Sequence, residues 1–366
     1  MHTLDDSLLD SPERLAEADG ATGGRLRSAA MAGAQVRATA EAAVDQNIDS
    51  LAGTRPRAIV LITRPGVGPA VAGLLVGLLG RACPVPLVLA DVVPSWIGPL
   101  DVVLAHGDDP GDALLAESID LANRRGARVV LTGPENGPVA AAAAGGALLL
   151  TPRVDVPANF SFARALTAGL GMLNTLRLLR VDLDVLADEL DREAERDHAG
   201  YESFVNPAKT LALKLADHTP LLCGLDPVAT AVADHAADAL GGLAGIVAES
   251  MPYTQLPTRT ALFRAAVAAT SERDIFADPE EAPGGLLRVV LLAVAEDPAA
   301  LAARNTAVEY LSGAELLAPA EETSGGPAIR AAVLALRCEM AAVYLGLATG
   351  ARGGPGTRGL ADGMTS

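Results

Sequence analysis

The sequence has little positive charge and few aromatic residues. Lysine and arginine together number 28, of which only Lys209 and Lys214 are lysines, and the formal net charge is −17. Binding to a nucleic-acid backbone or to an anionic membrane surface requires clustered cations, so this charge predicts neither partner. Aromatic residues make up 3% of the chain, and alanine, valine and leucine must therefore fill its cores.

Cysteine is also scarce, with Cys83, Cys223 and Cys338 set far apart in apolar surroundings. They are expected to be reduced, buried small hydrophobes, and no His, Cys, Asp or Glu group has the spacing of metal ligands. Neither a metal nor another cofactor is predicted. The first residues lack the basic and apolar regions of a signal peptide, and the longest apolar run, 138–150, is too short to span a bilayer. A cytoplasmic location is expected.

Apolar strands alternate with helices, which predicts an α/β protein with doubly wound parallel sheets of the flavodoxin type. A strand, a Gly-rich turn and an apolar helix follow one another twice, at 57–81 and at 220–240. In such a unit, small anionic ligands usually bind in the loop at the strand's carboxyl end. Strands are predicted at 57–63, 86–90, 101–105, 128–132, 147–150, 220–224, 244–248, 288–294 and 314–317.

The same pattern predicts how the chain is divided. Most of 159–218 is expected to be helical, and the Gly-rich end of the chain has no periodicity. The predicted segments are an N-terminal helical arm at 1–50, a first α/β lobe at 51–155, a helical connector at 156–218, a second α/β lobe at 219–350 and a disordered tail at 351–366.

Motifs in the second half of the chain carry a family resemblance. Asn206-Pro207-Ala208-Lys209 precedes a strand, Glu249-Ser250-Met251-Pro252 precedes a polar cluster, and an apolar helix at 328–350 closes the pattern. These segments resemble the sugar isomerase (SIS) fold and, more narrowly, a divergent actinobacterial member of the bifunctional phosphoglucose/phosphomannose isomerase family. Over roughly residues 50–350 the resemblance implies two SIS-like lobes, a homodimer, and aldose–ketose isomerisation of glucose 6-phosphate or mannose 6-phosphate.

The catalytic residues of that family do not carry over. Its phosphate-binding loop is rich in Ser and Thr, whereas the corresponding loop here contains Asp108, Asp109 and Asp112. Carboxylates repel a phosphate dianion and donate no hydrogen bond to it. Aligned through Met251-Pro252, the family's histidine falls near Leu256 and its base glutamate near Leu240, and its C-terminal lysine has no counterpart.

Candidate anion-binding residues lie in the turn after the first predicted strand. The backbone N–H groups of Gly66 and Gly68 could hold an anion, and Arg64 could add a charge-assisted hydrogen bond. A tight strand-to-helix turn is the other interpretation. A dinucleotide site is a weaker alternative, because Val71 stands where the third glycine of that motif belongs.

Other candidates are polar residues near predicted strand ends. Glu249 is predicted to end a buried strand and could act as the base, beside the ligand-binding candidates Tyr253, Thr254 and Gln255. His106 is expected in the loop after the strand at 101–105, as a surviving acid or base or as an exposed loop residue. Further ligand-binding candidates are Asp108, in the same loop, and Lys209, which could instead cap a helix or pair with an acid. His235 is expected on a helix surface.

Two functions remain open from the sequence. One is a phosphosugar isomerase-like protein that binds a carbohydrate derivative at a remodelled, degenerate site. The other is a non-catalytic sugar-ligand sensor, or a partner protein in mannose metabolism. Both predict a sugar phosphate or another carbohydrate derivative as the ligand.

Overall fold

The computed structural model describes residues 5–270, 287–321 and 323–350. These residues form two compact units, a first unit of residues 31–191 and a second unit of residues 5–30 and 192–350. The five-part division stays a prediction, and the predicted tail, residues 351–366, lies outside the described residues. The second unit begins with three short helices, which are α1 (Asp6–Leu9), α2 (Pro12–Ala21) and α3 (Arg25–Ala30).

The first unit contains a five-stranded sheet of order β2-β1-β3-β4-β5, and every neighbouring pair is parallel. Its strands are β1 (Ala58–Ile62), β2 (Leu87–Ala90), β3 (Asp101–His106), β4 (Arg128–Thr132) and β5 (Leu148–Leu150). Its helices are α4 (Ala32–Asp45), α5 (Gly68–Leu79), α6 (Ala113–Arg124), α7 (Gly137–Ala143), α8 (Phe162–Thr175) and α9 (Leu183–Arg196), the last of which continues into the second unit.

The second unit contains a four-stranded parallel sheet of order β7-β6-β8-β9. Its strands are β6 (Thr219–Gly224), β7 (Glu249–Pro252), β8 (Leu287–Leu292) and β9 (Glu315–Leu317). Its remaining helices are α10 (Pro207–Leu215), α11 (Pro227–Ala239), α12 (Thr260–Thr270), α13 (Pro298–Tyr310) and α14 (Pro327–Ala348). The predicted α/β class, with parallel sheets and alternating helices, is confirmed.

The central strands follow directly from composition. All five residues of β1 and all six of β3 are buried, because helices cover both faces of a parallel sheet. Helix starts are also local. Asp112, Asn206, Asp226 and Asp297 each accept a backbone N–H of the helix that they precede. Such side-chain acceptors satisfy N–H groups that have no partner within the helix.

The predicted strand at 244–248 is wrong. Residues Leu240–Ala244 form a π-helical turn, and Gly245 adopts a left-handed conformation with φ of 68°. The strand begins only at Glu249, and Val247 is 81% exposed. Apolar, β-branched composition predicts a strand, but this segment only connects α11 to an edge strand of the sheet.

Helix α14 is the most buried long element of the described residues. It is long and apolar enough to cross a membrane, but its most apolar 18-residue stretch is completely buried in the structure, as in a core helix. Cys338 on α14 and Cys223 in β6 are buried as predicted, whereas Cys83 is only half-buried. All three are free thiols.

Candidate functional site

The strand order of the first sheet places its switch point between β1 and β3. The chain leaves these neighbouring strands in opposite directions along the sheet, and ligands of doubly wound folds usually bind in the crevice at this point. Here Arg64, which follows β1, makes two hydrogen bonds to Asp112, which precedes α6. The Nε–Oδ2 distance is 2.8 Å and the Nη2–Oδ1 distance is 3.2 Å. An ion pair thus bridges the two loops that would border a ligand.

Both side chains of this pair are only 16% exposed. Asp112 also accepts the Leu115 backbone N–H at 3.0 Å, so the same carboxylate caps α6 and holds Arg64. Burial disfavours the charged carboxylate, but the bonds from Arg64 and from the helix backbone outweigh it and lower the pKa of Asp112. Arg64 is therefore engaged within its own unit.

The glycines of the predicted anion-binding turn lie beside this pair. Gly66 has φ of +111°, a conformation that a side chain would strain, and it is exposed. Gly68 is buried as the first residue of α5, and that helix starts without a side-chain cap. This geometry fits a tight strand-to-helix turn. Anion binding by Gly66 and Gly68 stays a prediction.

His106 is the last residue of β3 and is buried, which corrects its predicted place in an exposed loop. It pairs in register with Thr132, the last residue of β4. The Nδ1 atom lies 2.7 Å from Thr132 Oγ1, and Nε2 lies 2.9 Å from Asp108 Oδ2. Both ring nitrogens are satisfied when Nε2 donates to Asp108 and Nδ1 accepts from Thr132. Neither nitrogen is left for a substrate.

Asp108 is surrounded by hydrogen-bond donors at the start of α8. Arg164 Nη2 donates to Oδ1 at 2.6 Å, and Ser161 Oγ donates to Oδ2 at 2.7 Å. Ser161 is fully buried and Arg164 is 5% exposed, whereas the Asp108 side chain is 21% exposed. Asp108 therefore neutralises Arg164 at the carboxyl edge of the sheet.

Opposing effects set the charge of Asp108. Burial by itself would raise its pKa, but the neighbouring His106, Arg164 and Ser161 outweigh burial and lower the pKa to about 2. The carboxylate is thus ionised at neutral pH and acts as a permanent acceptor. A phosphate dianion would meet this negative charge together with that of Asp112.

Sequence reasoning missed Ser161, Arg164 and Thr132. One signal was available for Arg164, which lies in the first turn of α8. A cation in the first turn opposes the helix dipole, so its presence there indicates a nearby anion. The partner could not be named, since Asp108 is 56 residues away in the sequence.

The second sheet has its switch point between β6 and β8, and an aspartate bridges that crevice as well. Asp226 Oδ1 accepts the Ala229 N–H at 2.8 Å and caps α11. Its Oδ2 accepts the N–H groups of Val294 and Ala295, which follow β8, at 2.9 and 3.0 Å. Three backbone donors that could bind an anion are therefore already occupied by a carboxylate.

Glu249 is the first residue of β7 rather than the end of a strand, which corrects its predicted position. It pairs in register with Leu221, three residues or about 10 Å from the carboxyl end at Pro252. Its side chain is 53% exposed and binds Arg259 at 2.5 Å. Glu249 therefore lies away from the edge where a ligand would bind in this sheet, and its role as a base stays an untested prediction.

Tyr253, Thr254 and Gln255 follow β7 directly, at the carboxyl edge of the second sheet. Thr254 and Gln255 are exposed, and Tyr253 is half-buried against the apolar core. Burial, with smaller effects from Cys223 and Tyr310, raises the pKa of Tyr253, so its hydroxyl stays neutral. The three side chains form an uncharged polar surface, the predicted ligand position.

Lys209 is fully buried within the second unit. Its Nζ donates to the carbonyl oxygens of Leu9, Ala199 and Tyr201 at 2.6, 2.8 and 2.6 Å. Burial lowers the pKa of Lys209. These three bonds use all of its donors, which fits a structural role better than the predicted contact with a ligand.

His235 is buried on α11, which corrects its predicted surface position. Its Nε2 lies 3.4 Å from Glu339 Oε2 on α14, and Glu339 is also buried. Burial raises the pKa of Glu339 despite this neighbour. Within the described residues, no three His, Cys, Asp or Glu side chains are placed to hold a metal ion. The predicted lack of a metal or another cofactor stays a prediction.

Solved structures with the same architecture were found. A hypothetical protein from Thermus thermophilus has a TM-score of 0.68 at 14% identity, over 98% of this chain and 94% of its own. Tagatose-6-phosphate ketose/aldose isomerase from Escherichia coli has a TM-score of 0.62 at 12% identity, over 92% and 96%. The C-terminal domain of glucosamine-fructose-6-phosphate aminotransferase from Francisella tularensis has a TM-score of 0.58 at 12% identity, over 89% and 96%.

No protein-family model matches this chain, and the search of curated proteins found no match. At these low identities the structural neighbours show the fold alone. They confirm the parallel α/β fold of SIS type that the sequence predicted. The narrower resemblance to the bifunctional phosphoglucose/phosphomannose isomerase family stays a prediction.

Proposed function

We propose that this protein is a phosphosugar isomerase-like protein that binds a carbohydrate derivative and does not isomerise it. The observation that supports this proposal is that an aspartate bridges the switch-point crevice in each unit. Asp112 holds Arg64 in the first unit, and Asp226 holds three backbone N–H groups in the second. These donors, which could otherwise bind a phosphate group, are engaged by carboxylates.

The same arrangement argues against proton transfer between two carbons of a sugar. That reaction needs a base within hydrogen-bond reach of the substrate. His106 is buried with both nitrogens engaged, and Glu249 is paired with Arg259 at the start of β7. Neither residue is free to approach a ligand at the carboxyl edge of its sheet.

The neutral surface of Tyr253, Thr254 and Gln255 is the proposed carbohydrate contact. Hydroxyl and amide groups both donate and accept hydrogen bonds, as sugar hydroxyls do. The side chains follow a strand at its carboxyl end, the usual ligand position in parallel sheets. We further propose a cytoplasmic homodimer, in keeping with the sequence resemblance.

The test is a thermal-shift titration of the purified protein, combined with a coupled isomerase assay. The ligands are fructose 6-phosphate, glucose 6-phosphate and mannose 6-phosphate, each beside its unphosphorylated sugar. A ligand that binds only the folded state raises the melting temperature saturably. We expect no turnover, and a shift that does not require the phosphate and is lost in Gln255→Ala.

The matched control is Gln46→Ala, which removes an exposed glutamine from the first unit. It should leave the shift unchanged. A shift specific to the phosphorylated sugars, together with turnover, would establish an active isomerase and overturn the proposal. No shift with any sugar at millimolar concentration would disprove carbohydrate binding.

A further inference from the structure

The Asp108 carboxylate is surrounded by buried hydrogen-bond donors. Its two carboxylate oxygens receive hydrogen bonds from His106 Nε2, Ser161 Oγ and Arg164 Nη2, at 2.9, 2.7 and 2.6 Å. All three donors belong to residues that are at least nine-tenths buried. Ser161 and Arg164 also lie at the start of the 14-residue helix α8, where the helix dipole favours negative charge.

The Arg164 guanidinium has a buried donor that the Asp108 carboxylate does not use. Arg57 and Arg64 each donate from both Nε and Nη2 to one aspartate, which is the paired geometry that guanidinium groups favour. Arg164 donates only from Nη2 to Asp108. Its Nε is buried and has no hydrogen-bond partner among the described residues.

The geometry of Asp108 explains this unused donor. A carboxylate has two oxygens, and its short side chain ties them to the backbone of the loop after β3. One oxygen binds Arg164 and the other binds His106 and Ser161. A free tetrahedral oxyanion has more oxygens and no tether, so it could accept from Nε and Nη2 while still meeting Ser161 and His106.

We propose that His106, Ser161 and Arg164 form a binding site for a phosphate or sulfate group, and that the Asp108 carboxylate occupies this site as a tethered anion. The inference rests on the proposed function, because it identifies Asp108 as the group that keeps a phosphorylated ligand out of the first unit. Solvent can reach the site, since the Asp108 side chain is 21% exposed. Removing this carboxylate opens the site to an anion from solution.

The test compares wild-type protein with Asp108→Ala, titrated with inorganic phosphate at constant ionic strength, with chloride as the reference. In chloride, Asp108→Ala should melt below the wild type, because Arg164 is then a buried cation without its partner. Phosphate at about ten times its dissociation constant should raise the melting temperature of Asp108→Ala by about 2–4 °C. The wild type should show no saturable shift.

Matched variants distinguish the effect of opening space in the site from the effect of removing the negative charge of Asp108. Asp108→Asn removes the charge but keeps a side chain of the same size in the site, so phosphate should not stabilise it. Asp109→Ala removes a neighbouring carboxylate that accepts the Gly111 N–H in its own loop. Asp109→Ala should behave like the wild type. The double variant Asp108→Ala with Arg164→Met should lose the response to phosphate.

Three results would overturn the inference. They are a folded Asp108→Ala that does not respond to phosphate, an equal response in the wild type, and a response that survives Arg164→Met. If Asp108→Ala does not fold in chloride, its refolding from urea is measured with and without phosphate. Refolding that does not depend on phosphate would contradict the proposed anion-binding site. The proposed function is judged on the wild type with sugars, so the two failures are distinguishable.

Discussion

Each unit contains an aspartate that bridges the crevice within its own sheet, between β1 and β3 in the first unit and between β6 and β8 in the second. The hydrogen-bond partners of these two carboxylates differ. In the second unit Asp226 accepts three backbone N–H groups, two of them from the loop after β8. In the first unit Asp112 binds one backbone N–H and the Arg64 side chain. Backbone donors are fixed by the fold, whereas a side-chain donor can move away by changing its rotamer.

This difference separates a structural carboxylate from carboxylates that could be displaced. Asp226 completes the loops of the second sheet through three backbone N–H groups. The first unit contains a second aspartate, Asp108, held by side chains alone, and the buried Nε of Arg164 beside it has no partner in the part of the chain that the structure describes. Anion binding, if it is recovered anywhere by substitution, should be recovered in the first unit.

The largest effect is expected for Asp226→Ala. It removes the cap of α11 and leaves two N–H groups near β8 without an acceptor, for a loss of about 3 kcal/mol in the free energy of unfolding. The measurement is urea denaturation, with Asp297→Ala as the control. Asp297 caps α13 with two exposed bonds, so its loss should cost about 1 kcal/mol. Equal losses of stability in the two variants would show that Asp226 contributes no more than an ordinary helix cap.

The next effect is the change in protein stability with pH that the titration of Asp108 causes. Its pKa is about 2 in the folded protein, below the ordinary value of 3.8. A lowered pKa contributes stability above the unfolded value, and this stability is lost as the pH falls towards 2. The stability advantage of the wild type over Asp108→Asn should shrink by about 1 kcal/mol between pH 7 and pH 3. An advantage that does not change with pH would contradict the ionised, bonded carboxylate.

A smaller effect is expected for Arg64→Gln. This change removes an ion pair whose side chains are only 16% exposed but leaves Asp112 to cap α6, so it should cost about 1 kcal/mol. The control is Arg124→Gln, which breaks an exposed pair with Asp120 and should cost less than about 0.5 kcal/mol. Carbohydrate binding should survive in Arg64→Gln. Its loss, without a loss of stability, would restore the predicted role of Arg64 in ligand binding.

The smallest effect is expected for Glu249→Gln. Both partners of its ion pair with Arg259 are about half exposed, so the free energy of unfolding should change by less than about 0.5 kcal/mol. Carbohydrate binding, measured by the same thermal shift, should not change. A specific loss of binding or of any isomerase activity would place Glu249 at the site after all.

The fold was largely predictable because its determinants are local. Continuous apolar runs such as 58–62 predict strands of a parallel sheet, and Asx-Pro pairs such as Asp226-Pro227 mark helix starts. The prediction failed at 244–248, where the composition is that of a strand but Gly245 turns the chain. Composition predicts that a segment is apolar. It does not predict where an edge strand begins to pair.

The candidate site was predictable only in part. The sequence indicated the loops after β1 and β3, and the structure does place Arg64 and Asp108 there. It did not indicate that His106 is buried, because one residue more or less in β3 decides whether the side chain lies in the strand or in the loop. Arg164 was missed because it lies in a segment predicted only as a connecting helix.

The sequence by itself determined the parallel α/β architecture, the position of the Gly-rich turns and the abundance of aspartate near strand ends. Only the tertiary structure decided which aspartate meets which donor. Arg64 and Asp112 are 48 residues apart, and Asp108 and Arg164 are 56 residues apart. Such pairs form because parallel strands bring the loops after them to one edge of the sheet. Burial at that edge then requires each charge to find a partner.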